Sequence, residues 1–266
     1  MGTQERAVTM ATMTQRKTRQ SLRSERAFFL SMMVAILALV VWGFAPSFYL
    51  RTVMSPPATH IDRPGWMGWM FIAHGLLFTL WLLLFAVQTV LIGSKRLPLH
   101  KSIGRSVYPL YFAIVVMGLF VGFLGAKYGF HDVPFDSITF SALPWLVILA
   151  FASLAWAGLH ERRDPQRHKR LMLLAVIVLS DAGIARVAFR HPFLPEWMSA
   201  TVLLLIPLLL WDLATLRRVH PVTIWGGLMV AAALMLSVPI GMTKPWHNFV
   251  SAIIGTPGVS AGQIAY

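Results

Sequence analysis

The sequence predicts an all-α polytopic membrane protein, a seven-transmembrane-helix bundle with its N-terminus inside and its C-terminus outside. Three observations carry that expectation. Hydrophobic residues fill 57% of the 266 positions and charged residues only 12%, about half the charged share of a soluble domain. Mean hydropathy is correspondingly high, +0.67. The apolar residues gather in seven runs, each near the roughly 20 residues that a bilayer-crossing helix needs, while Lys and Arg collect between alternate runs.

The chain opens with a basic stretch, 1–26, that has no apolar period and holds Arg6, Arg16, Lys17, Arg19, Arg23 and Arg26. It reads as a disordered cytoplasmic tail. The transmembrane domain then occupies 27–242. Its first run, 27–44, is too long for a secretory h-region and reads as a signal-anchor helix. A turn-rich outer loop (47–66) leads to the second span, 68–91, which Trp66 and Trp69 introduce as interfacial anchors. A basic turn at 94–99 precedes the third span, 106–126. The fourth is 140–160, with Pro144 expected in its first turn, where a missing N–H does no harm. The fifth, sixth and seventh are 171–189, 198–216 and 223–242, and Pro239 is expected to kink or end the last. Residues 243–266 form an outer-side tail whose apolar piece, 249–254, is too short to span and suits an interfacial helix.

Charge orients this bundle. Six Lys and Arg lie in 1–26, four in 95–105, five in 162–170 and two at 217–218, seventeen in all. Only Arg51, Arg63, Lys127, Arg186, Arg190 and Lys244 fall on the other side, so the seventeen mark the cytoplasm. The net charge of +13 is spread over short inter-span segments, which argues against nucleic acid as a partner. It suits the lipid bilayer and anionic head groups on the cytoplasmic side. The absence of cysteine excludes disulfides, thiolate metal sites and cysteine nucleophiles. No phosphate-cradling glycine loop, GxSxG or HExxH is present, so catalysis of the soluble type is not expected.

Polar residues inside the spans are the candidate functional groups, because ionisable side chains in hydrocarbon are costly. Counting 1.5 Å per residue, His74 lies about 9 Å inside the outer boundary, Asp181 about 12 Å and Arg186 about 4 Å. They form a candidate ligand-binding set, with His74 as the titrating group, Asp181 its charge partner and Arg186 an anion contact. A neutral histidine bonded to a carbonyl, and an arginine reaching to the interface, are the structural alternatives. Nearer the cytoplasm lies a second polar level: Gln88, His100, Arg105, His168 and Asp212, with Arg170 and His220 at its edge. Asp212 is expected to pair with a cytoplasmic arginine. Leu99-His100-Lys101 and Arg167-His168-Lys169-Arg170 echo one another at two helix starts, which hints at an internal duplication.

The pattern His74-Gly75, Leu99-His100-Lys101-x-x-Gly104-Arg105, His168-Lys169-Arg170-Leu171-Met172 and Ala185-Arg186 resembles an uncharacterised family of bacterial multipass membrane proteins. That family carries HG…HRxxGR…HxRxM…R in consecutive helices. The resemblance covers about 66–190, with Lys101 where arginine is more usual. It implies a bacterial inner-membrane helical bundle and no particular activity.

Three functions follow as expectations: binding or passage of a small ligand or proton, a b-type haem redox protein, and a non-catalytic assembly or scaffold protein. Haem needs two imidazoles facing one another at one depth: the cytoplasmic level offers His100 with His168, and the outer level offers only His74 unless His131, His191 or His247 folds inward. A metal site is not expected, since only His74 and Asp181 share a level within the bilayer.

Overall fold

The computed structural model describes residues 3–54, 60–62, 65–129, 135–190 and 199–255, and among these every regular element is a helix. Helix α1 runs unbroken from Thr3 to Phe44, so its backbone is helical through most of the stretch read as a disordered tail. From Thr3 to Arg26 there is neither proline nor glycine to interrupt it. The apolar part begins at Leu22 and continues through a π-helical turn, Ala45–Tyr49. A short α2 (Arg51–Met54) and a 3-10 turn (His60–Asp62) follow, tied by an ion pair between Arg51 and Asp62.

Helix α3 (Trp66–Gly93) ends in a tight reversal in which Lys95 adopts a left-handed φ of 62°. The chain turns directly into α4 (Leu97–Ile103), then a 3-10 turn at Gly104–Ser106, then α5 (Val107–Tyr128). Helix α6 (Ser137–His160) starts earlier than the sequence suggested, because the Asp136 carboxylate caps it by accepting from the N–H groups of Ile138 and Thr139, both at 3.0 Å. Pro144 therefore lies two turns inside the helix and not in its first turn.

The expected fifth span is broken. Helix α7 (Pro165–Leu179) and α8 (Asp181–Arg190) meet at Ser180, with a bend of 50°. Ser180 Oγ donates to the Val176 carbonyl at 2.7 Å, a back-bond of the kind that bends helices. A 3-10 segment, Ala200–Leu204, opens the next helix, α9 (Leu205–Leu216). Helix α10 (Pro221–Met235) passes into the short α11 (Ser237–Gly241), which contains Pro239, and α12 (Lys244–Ile254) closes the described chain.

Four continuous helical stretches are long and apolar enough to cross a membrane: Leu22–Tyr49, Trp66–Gly93, Leu97–Tyr128 and Ser137–His160. Counted together as one bent span, α7 and α8 make a fifth. Their outward faces are apolar too. Along α3, Leu76, Leu80, Leu83, Val87 and Val90 recur at helical spacing and are all exposed, which a bilayer accommodates and water does not. At the centre stands α7, whose residues from Leu173 to Val178 are fully buried. Around it α6 and α10 pack closely, α5 packs on α6, and α1 packs against both α3 and α8. Trp81 meets the edge of Phe151 with ring centres 5.0 Å apart, and Phe28 stacks on Trp211 at 4.5 Å.

The α1–α8 contact is made backbone to backbone at two glycines. A methyl group on Gly43 would overlap the Gly183 carbonyl, and one on Gly183 would lie 3.0 Å from Val40 Cα. Small residues at helix crossings give membrane helices this closeness. Gly43→Ala should therefore lower stability in detergent by about 1–3 kcal/mol, read as a fall in thermal midpoint. Gly93→Ala, at a position with nothing within 4 Å, should leave the midpoint unchanged or raise it slightly.

Candidate functional site

Polar side chains from separate helices meet at the basic end of the bundle. The sharp turn after α3 carries α4 back alongside Gln88, about one turn before the end of α3. With its carboxamide oriented to match its neighbours, the Gln88 nitrogen lies 2.5 Å from His100 Nδ1 and 3.2 Å from the His100 carbonyl, and its oxygen accepts from Gly104 N at 2.9 Å. A Cβ on Gly104 would sit 3.6 Å from the amide, in ordinary van der Waals contact.

His168 reaches the same place from the first turn of α7. Asp164 caps that helix through the N–H groups of Gln166 and Arg167, with Pro165 at its first position. Those N–H groups, Arg167's foremost, hold the Asp164 carboxyl below its ordinary range. The His168 ring is half-buried, and its Nδ1 donates to the Gly158 carbonyl at 2.7 Å. The centres of the His100 and His168 rings are 6.4 Å apart, with planes at 86°. Arg105, on the neighbouring 3-10 turn, is exposed.

Two residues beyond His168 on α7 lies one member of a fully buried ion pair. Arg170 donates to Asp212 Oδ1 through Nε at 3.1 Å and Nη2 at 2.5 Å, and the two residues are 1% and 0% exposed. The other carboxylate oxygen accepts from Thr223 Oγ1 at 2.6 Å and from His220 N at 3.1 Å. Arg170 Nη1 donates to the carbonyl and the side-chain oxygen of Gln166. The pair joins α7, α9 and α10 with nearly every donor and acceptor used, as burial of charge requires.

The outer half is arranged differently from the expected His74–Asp181–Arg186 set. Asp181 is buried at the α7–α8 bend, where its Oδ1 accepts from Ser199 Oγ at 2.5 Å and Thr201 Oγ1 at 2.6 Å. Its partners are thus two hydroxyls at the start of the next helix, and not His74. The half-buried His74 ring lies against Phe78, with centres 4.2 Å apart. Arg186 is exposed, donates to the Ala182 carbonyl at 2.6 Å and covers the Phe44 ring at 4.5 Å. The physical reason lies in α1, which packs against both α3 and α8. Shared depth was visible in the sequence, whereas this lateral order was not.

Helix α12 holds a buried polar residue outside the expected site set, one of the histidines that could fold inward from the outer side. His247 is buried, with Nε2 3.0 Å from Thr139 Oγ1, and Trp246 Nε1 donates to the Ile138 carbonyl at 2.9 Å. Val250 and Ile254 pack with Ala126 and Trp145. Its amphipathic face therefore docks onto α5 and α6, beyond the interfacial role expected of it. Among the described residues, no three His, Asp or Glu side chains gather as a metal site would require. No family model, curated protein or solved structure matches the chain.

Two outcomes test the basic end. Asp212→Ala should destabilise the protein by about 3–5 kcal/mol, because it leaves a buried guanidinium unpaired. The double change Arg170→Met with Asp212→Leu should cost less than Asp212→Ala alone, and denaturation in detergent compares them. The second outcome concerns His220, whose Nδ1 caps α10 by accepting from Val222 N at 3.1 Å. Burial first, and then the Arg170 charge, push its pKa below 6.5. The neutral form is the one the folded state favours, so its contribution is complete above the unfolded pKa and is lost as pH falls through the folded one. The thermal midpoint should fall between about pH 7 and pH 5, and His220→Asn, which can still cap, should flatten that part of the curve.

Proposed function

We propose that this is a seven-span bacterial inner-membrane protein, N-terminus inside, that exchanges protons or holds a small polar ligand between His100 and His168 at the cytoplasmic end of its bundle. The carrying observation is the relation between the two rings. A neutral imidazole has one N–H. His168 uses its own at Nδ1 on the Gly158 carbonyl, which leaves Nε2 as an acceptor. His100 Nδ1 receives the Gln88 amide, which leaves Nε2–H as a donor. With one donor and one acceptor and ring centres 6.4 Å apart, the pair leaves room for a bridging water or small polar molecule through which a proton is relayed.

The seven-span topology is supported by the charge pattern. With 200–216 as the sixth crossing and α10–α11 as the seventh, every strongly basic segment falls on one side. The residues that carry the family resemblance, His100, Gly104 and His168, also lie together in this cluster. Binding is favoured over passage, because the fully buried stretch of α7 from Leu173 to Val178 places about 9 Å of close-packed hydrocarbon between this end and Asp181.

The ring spacing also favours one second reading, a b-type haem. Two metal–nitrogen bonds of about 2 Å and the half-widths of two rings add to roughly 6 Å. For that ligation Gln88 would have to turn its carbonyl toward His100, giving up its bonds to Gly104 N and the His100 carbonyl. Nitrogen NMR of ¹⁵N-histidine-labelled protein in nanodiscs separates the two. The expected result is opposite neutral tautomers for His100 and His168 in a preparation without a Soret band. Identical tautomers, or a Soret band lost on His100→Ala or His168→Ala, would overturn the proton reading.

A further inference from the structure

A cleft of about 420 Å³ opens where α5 begins and α6 ends, lined by Tyr108, Leu159, His160, Glu161, Arg162 and Arg163. We propose that it is a binding site for the phosphate head group of an anionic phospholipid. The site is distinct from the histidine pair and rests on separate residues. It shares with the proposed function only the placement of the basic end at the inner leaflet.

The charges in the cleft leave a net positive field. Arg162 Nη1 donates to Tyr108 OH at 2.7 Å, which fixes the guanidinium at the rim while its other N–H groups stay available. Arg163 stands beside it, exposed. Glu161 is the one acid in the lining, and Arg167 Nη1 lies 3.2 Å from its carboxylate, so its charge is met from outside the cleft. Guanidinium groups held in this way are suited to phosphate oxygens.

What lies beneath the cleft identifies the source of the phosphate. Phe112 is four residues beyond Tyr108 on α5, and Trp156 is four residues before His160 on α6, so both lie one turn deeper on the same faces. Their ring centres are 6.2 Å apart, and Tyr111 completes the group at 5.1 and 5.9 Å. Phe112 and Trp156 are about half exposed, at 55% and 49%. A cationic cleft directly above an outward-facing aromatic shelf matches a molecule with a phosphate at one end and acyl chains at the other. A soluble phosphate ester would use the upper half alone.

Native mass spectrometry of the full-length protein, released from mixed phosphatidylglycerol and phosphatidylcholine bilayers, tests this. The wild type should retain phosphatidylglycerol in preference to phosphatidylcholine. Arg162→Ala with Arg163→Ala should reduce that preference by roughly tenfold or more, and Phe112→Ser with Trp156→Ser should shorten retention of the lipid. Both are surface changes, and an unchanged thermal midpoint in phosphatidylcholine confirms that the variants fold. Undiminished preference in the arginine double variant would overturn the site. Equal stabilisation by glycerol phosphate and by phosphatidylglycerol would overturn the lipid as its occupant.

Discussion

The burial of α7 is the constraint on which the rest of the structure depends. A helix enclosed on all sides has no lipid-facing stripe to orient it, and between Leu173 and Val178 its side chains offer nothing but apolar contact. Its rotation and depth must be fixed at its ends. Arg170 does this at the basic end, because a guanidinium with 1% exposure has to face its counter-charge. Asp212 supplies that charge from α9, and Thr223 and His220 hold Asp212 from the α10 side. The ion pair is weak evidence for stability, since two desolvated charges of this kind do little better than a good hydrocarbon fit. Its effect is to admit one register among three helices. His168, two residues before Arg170, inherits its place from that register.

At the other end the register is held by Asp181. A carboxylate at a helix bend would be unfavourable in hydrocarbon, and the hydroxyls of Ser199 and Thr201 answer it. The bend also puts Gly183 where α1 can reach it, and only glycines on both sides allow the close crossing at Gly43. Break, hydroxyl cage and glycine contact are therefore one arrangement. Removing the Ser180 back-bond would be felt in all three.

Hydrophobic length and basic turns made the helical, membrane-embedded class of the chain legible in the sequence, since both follow directly from the lipid solvent. Helix starts were overlooked at Asp136 and at Asp164-Pro165, because both caps lie outside the apolar runs they introduce. The α7–α8 break was not legible, because Ser180 and Asp181 in a run of apolar residues read equally well as a straight span. Depth could be counted from the sequence, and it placed His100 with His168 and His74 near Asp181. The first pair meets and the second does not, because depth gives one coordinate and the lateral order of helices gives the others. For the first pair that order was partly encoded: both histidines open helices that follow hairpin turns on the basic side, and α5–α6 and α6–α7 are sequential neighbours. Between His74 and Asp181 the chain inserts α1, a helix far removed from α8 in sequence.

The two histidine-bearing helix starts also explain why polar chemistry can gather at this end without unravelling the bundle. Each ring spends one nitrogen on its own neighbourhood, the Gly158 carbonyl for His168 and the Gln88 amide for His100. The first of those bonds uses a carbonyl that the end of α6 leaves open in any case, and the second uses a side-chain amide. The histidines are thereby held at little cost to the helices. Both residues are only partly buried, and the fully buried apolar stretch of α7 lies inward of them. Under the proposed function, such a centre changes its proton count without carrying a charge into hydrocarbon. The same pair placed at the level of Val176 would have to desolvate an imidazolium whenever it took up a proton.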